Sequence, residues 1–255
     1  MNKTNNQSFN FPFILLNSVA QAIIGFLPAM LLNKTARSFS LHLLIFIGYL
    51  LLSEFFMALI RSRYQFGRRL SIQLYSVKLA VSSLLIFSYG MNTTWQFGVI
   101  LASYEAFQFL FFSSNYYYPD SLLFTITQAF FKGIVLNMIV YLSDSYSFKI
   151  DLALLFVVSA SVILWQTLII QKTYSYLNRQ KLFSLFSLIF MIVSVGCLYY
   201  FNIQKQLSFV TFIAAALASV IVFSLSHLMR NQKKRELFLN FSILVLLFFI
   251  YINWK

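Results

Sequence analysis

The sequence predicts an all-α, polytopic membrane helix bundle of about nine transmembrane helices, and three observations carry that prediction. Hydrophobic residues make up 60% of the 255 residues and charged residues 10%, against about a quarter charged in soluble domains. Apolar windows of about 17–23 residues, the length that crosses a hydrocarbon core, follow one another along the whole chain. The few charges are lopsided: Lys plus Arg number 19, Asp plus Glu 6, and the formal net charge is +13. An ordinary soluble enzyme of this size could not hide so much apolar surface. Cys197 is alone, so no internal disulfide forms, and it reads as a small buried apolar residue.

The windows run in order as follows. The first, 10–32, follows the polar stretch MNKTNNQSFN and lacks a small-x-small cleavage site, so it reads as a retained helix. It ends at NKTARSFS; 41–60 ends at RSRYQFGRR; 70–90 ends at MNTTW. The fourth, 95–112, ends at SSNYYYPD, where Tyr116, Tyr117 and Tyr118 read as an interfacial anchor. The next three, 121–142, 152–171 and 182–201, are bounded by SDSYSFKID, QKTYSYLNRQK and NIQKQ, and 207–229 and 237–253 flank RNQKKRE. Helices are the expected form because backbone amides in hydrocarbon must be satisfied within their own segment. No break is long enough for a soluble domain, so 1–255 is one transmembrane domain. Two pseudo-repeated halves, 10–112 and 121–229, precede the last helix, 237–253. Trp95 and Trp254 read as span-end anchors, and Trp165 as a residue packed inside the bundle.

Orientation follows from the basic residues. With the N-terminus inside and the C-terminus out, 12 Lys and Arg fall in inner segments and 5 in outer ones. The inner set is concentrated after the second, sixth and eighth windows. A multi-pass protein of the cell membrane is expected, in a bacterial cytoplasmic membrane. RNQKKRE reads as a positive-inside signal that attracts anionic lipid. No basic domain is available to enter a nucleic-acid groove.

Four ionisable residues fall inside windows: Glu54, Lys78, Glu105 and Lys132. Such residues are functional candidates by default. At about 1.5 Å per residue all four lie in or near the inner half of the membrane. Pairing Glu54 with Lys78 and Glu105 with Lys132, neighbours along the chain, would neutralise them. Thr125, Gln128 and Lys132, at i, i+3 and i+7, share one helix face. One reading is a polar cavity open to the cytoplasm, lined by Glu54, Lys78, Glu105, Gln128 and Lys132. The other is a structural one, two ion pairs that fix helix neighbours. His42 and His227 are isolated and read as interfacial. Ala214, Ala215, Ala218 and Ser219 read as packing.

No phosphate loop, HExxH, CxxC or GxSxG occurs. The basic loops after the second and sixth windows contain no carboxylate. Mg²⁺ is therefore not expected and no cofactor is implied. The same loops suit an anionic head group, through Arg61, Arg63, Arg68, Arg69, Lys172 and Arg179.

Nine helices with special cytoplasmic loops after the second and sixth resemble the UbiA-type intramembrane prenyltransferase superfamily. LLNSVAQAIIGFLPAMLL is similar to the family's first helix. FFMALIRSRYQFGRR and LIIQKTYSYLNRQKLFSL fall where the family carries its two Asp-rich motifs, and NQKKRELFLNFSILVLLFFIYIN resembles its last loop and helix. The family's aspartates bind Mg²⁺ and an isoprenyl diphosphate, and this sequence has none of them there. No catalytic residue carries over. The resemblance implies a degenerate member, a lipid-binding pseudoenzyme for an isoprenoid or another anionic lipid. Two alternatives stay open: a permease or immunity-type subunit of an ABC exporter, which needs a separate ATPase partner, and a prenyltransferase with an atypical diphosphate site.

Overall fold

A computed structural model describes residues 11–33, 40–64, 71–110, 121–143, 150–174, 177–229 and 231–255. The side chains of 62–64, 150–152, 173–174 and 177–179 are also outside that description. The described residues form helices and no strand. In chain order they are α1 (Phe11–Ile24), α2 (Leu27–Leu32), α3 (Leu41–Tyr64), α4 (Ile72–Asn92), α5 (Trp95–Phe109) and α6 (Leu122–Phe130). A π-helical turn, Phe131–Val135, leads into α7 (Leu136–Ser143). Then follow α8 (Ile150–Leu155), α9 (Val157–Tyr174), α10 (Leu177–Ile203), α11 (Phe209–Leu228) and α12 (Gln232–Ile252).

Seven helical stretches among the described residues are long and apolar enough to cross a membrane. Two of the nine expected windows are shorter as helices. In the first, the chain breaks between Ile24 and Leu27, and Pro28 opens α2, where its missing N–H costs nothing. In the fourth, α5 has 15 residues, about 22 Å. Three starts carry side-chain caps. Ser71, Ser208 and Asn231 accept from the amides of Leu74, Thr211 and Lys234 at 3.4, 3.1 and 3.2 Å, each meeting one of the orphan donors of a helix end.

The most enclosed element is α9. Val158, Val162, Trp165 and Leu168 are fully buried, in a cluster that takes Ile243 and Leu247 from α12 and Ala215 from α11. A second core joins α1, α3, α4, α5 and α7 through Ala22, Phe46, Tyr49, Ile86, Leu101 and Leu136. The outside is apolar: Phe87, Met91 and Trp95, Val210 and Leu217, and Val245 all stand exposed. Hydroxyls on the helices mostly bond back to their own turn, as in Ser18 to Ile14 O and Ser219 to Ala215 O, which satisfies them without water.

Candidate functional site

The site is built around the π turn. A π turn inserts one extra residue into a helix and frees backbone carbonyls. Asn137 donates to the carbonyls of Lys132 and Gly133 at 2.9 and 3.2 Å. Its own oxygen accepts the Ala29 amide at 3.1 Å, an orphan donor at the start of α2. The turn packs on α9 so closely that a Cβ on Gly133 would lie 2.6 Å from Ala160 N and nearer still to its Cα. Glycine is therefore required there.

Lys132, aimed inward from this turn, donates to Glu54 Oε2 at 2.8 Å and to Gln21 Oε1 at 3.0 Å. Lys78 on α4 pairs with Glu105 on α5. The pairing expected from chain order, Glu54 with Lys78 and Glu105 with Lys132, is thus corrected. The partners are exchanged because the α4–α5 hairpin sets Lys78 against Glu105, which leaves Glu54 of α3 to face Lys132 of the π turn. All four side chains are buried, and each charge has its counter-charge.

Amides extend this centre. Lys78 also donates to Gln108 Oε1 at 3.3 Å, and Gln108 donates to Ser53. Tyr49 donates to Glu105 Oε2 at 3.4 Å. On the other side, Asn240 of α12 accepts from Gln21 and from Gln166, both at 2.7 Å, and donates to Asn17 at 3.0 Å. Polar side chains from α1, α3, α4, α5, the π turn, α9 and α12 thus converge inside an apolar bundle. Buried polar groups are expected to be bonded. Here Gln128 Oε1 and Gln166 Oε1 are buried with no hydrogen-bond partner. Gln128 shares burial with Thr125 and Lys132, but Thr125 donates back to Ser121 O at 3.1 Å. Asn240→Leu removes three of these bonds and is expected to cost about 2 kcal/mol at the modest worth of bonds within membranes. The midpoint of thermal unfolding in detergent measures it.

The basic candidates lie at one end. Arg61, at the foot of α3, pairs with Glu236 at the start of α12 at 3.0 Å. Lys172, at the foot of α9, donates to Ser184 at 3.2 Å and is close enough to Arg235 to be repelled by it. His227 feels both of these charges. Lys233 sits 6.0 Å from the Phe13 ring centroid. The ends of α3, α9 and α11 and the start of α12 therefore share one face. Arg68, Arg69, Tyr116, Tyr117 and Tyr118 lie outside the described residues, as do the side chains of Arg63 and Arg179.

Sequence reasoning looked for ionisable residues and so missed Asn17, Gln21, Tyr49, Ser53, Gln108, Asn137, Gln166 and Asn240. Amides inside apolar windows were the available signal. Glu236 was read only as part of a loop. No protein-family model, curated protein or solved structure matches this chain.

Proposed function

We infer that the chain is a multi-pass membrane protein that binds a long-chain lipid with an anionic head at its basic face. Its nine apolar windows all cross, the N-terminus lies inside and the C-terminus outside. The gathering of Lys172, His227, Lys233 and Arg235 around the Arg61–Glu236 pair at one end of the bundle carries this reading, because the one acid described among them is already balanced by Arg61. Such basic clusters at helix ends attract lipid phosphates. The buried centre is not the head-group receptor: Lys132 and Lys78 are neutralised by Glu54 and Glu105. A UbiA-like layout is part of the proposal, without Mg²⁺-dependent prenyl transfer, and an isoprenoid diphosphate is one such lipid.

Native mass spectrometry of the detergent-purified chain tests it. Retained anionic lipid, or uptake of added prenyl diphosphate that falls in Lys172→Gln/Arg235→Gln, is the expected result. A chain free of lipid that takes up none overturns it.

The buried polar centre favours a second reading, a carrier or the permease subunit of an ABC exporter. Amides and balanced ion pairs drawn from seven elements are what a solute path through a bundle needs. Co-purification of a nucleotide-binding subunit, with solute flux in proteoliposomes lost in Gln166→Leu, would establish it. Intact flux in that variant would count against it.

A further inference from the structure

A groove of about 660 Å³ runs between α4 and α5 on the outside of the bundle, within the size range of small-ligand sites. Its rim is apolar and exposed: Phe87, Met91 and Trp95 toward one end, Val99 midway and Phe109 at the other. The helices come together at one end, where a Cβ on Gly90 would lie 3.6 Å from Gly98 Cα. Tyr75 and Phe109, with ring centroids 5.4 Å apart, close the opposite end. Between Trp95 and Phe109 the groove is about 21 Å long.

One carboxylate lines it, Glu105, one turn from Phe109. Glu105 also belongs to the buried polar centre, so the groove leads from the hydrocarbon to that centre. Its Oε1 holds Lys78, while Oε2 accepts Tyr49 at 3.4 Å, the weak limit of hydrogen-bond range. A carboxylate offers about four acceptor sites, so Oε2 can take a better donor. The lining also carries the Tyr75 and Ser83 hydroxyls beside it and the Trp95 indole at the far end.

These observations select the head group. A cation here would add a charge that nothing balances, since Lys78 already neutralises Glu105. An anion would face the carboxylate, and Lys78 does not line the groove. A neutral hydroxyl that donates to Glu105 meets neither cost. The hydroxyl end belongs near Tyr75 and Glu105, and the chain runs about 15 Å toward Trp95. We propose that the α4–α5 groove binds a neutral long-chain alcohol, hydroxyl on Glu105 and chain along Ala102 and Gly98. This site is distinct from the basic face and does not depend on it.

The test uses the full chain in nanodiscs and three photoreactive probes with one alkyl chain: an alcohol, a phosphate and an ammonium. The alcohol is expected to label α4–α5 peptides about fivefold above the other two, the worth of one hydrogen bond. Ala102→Phe/Ala106→Phe fills the groove from its exposed side and abolishes that labelling. Lys78→Met/Glu105→Leu removes the pair together, keeps the bundle neutral and lets the three probes label equally. Equal labelling of the wild type by all three probes overturns the head-group assignment, as does preference for the phosphate. Labelling that survives the Phe variants overturns the location. A dimer of the chain that the Phe variants split would show a second copy in the groove and overturn the proposal as well.

Discussion

Lys132→Met is expected to destabilise the bundle by about 3–5 kcal/mol, because it leaves Glu54 as a buried charge without its partner. Glu54→Gln is expected to cost a similar amount, since it strands the ammonium instead. The double variant Lys132→Met/Glu54→Gln should recover most of the loss, because buried pairs replaced together are close to neutral. Lys132→Met/Glu105→Gln should recover nothing, because it strands both Glu54 and Lys78. A double-mutant cycle on the thermal midpoint in detergent separates the two cases. Coupling of residue 132 to 105 in place of 54 would refute the arrangement of the ion pairs. A hydrogen bond from Lys132 to Gln21 accompanies the pair, so Gln21→Leu should weaken the Lys132–Glu54 coupling without abolishing it.

Gly133→Ala is expected to be the most damaging glycine-to-alanine change among the described residues. The added Cβ would overlap the backbone of Ala160, and backbone cannot swing aside as a side chain does. A cost of about 3 kcal/mol marks the upper end of ordinary overpacking. Ala160→Gly should not rescue it, since the closest approach is to the Cα and N of residue 160 and not only to its Cβ. The midpoint of Gly133→Ala/Ala160→Gly checks this. Loss of Gly133 should also move Lys132, so the Glu54 pair is expected to weaken in any Gly133→Ala protein that folds.

Much of the fold was legible in the windows of the sequence, because a span must be long and apolar to meet the hydrocarbon core. The first window was legible as apolar and not as broken. The break sits beside Gly25 and Pro28, and apolar counting passes over both residues. The four ionisable residues were found for a sound reason, their cost in lipid. Their pairing was not, since neighbours along a chain are not neighbours in a bundle. Glu54 and Lys132 are 78 positions apart, and only packing brings them together. Lys132 also sits on a π turn, and nothing in the spacing of Thr125, Gln128 and Lys132 signals the extra residue. The amides at 17, 21, 166 and 240 were hidden for a simpler cause. Asn and Gln carry no charge, so each one costs an apolar window little.

The Asn17–Asn240 bond joins residues 223 positions apart, and α1 rests on α12. Biosynthesis must therefore insert the first helix long before its partner exists. At about 5–20 residues per second, the interval is roughly 11 to 45 seconds. Through that time the amides of Asn17 and Gln21 face lipid or a temporary neighbour. A nascent chain halted before residue 232 should remain open to proteases and bound to the insertion machinery. Release from that machinery then waits on α12.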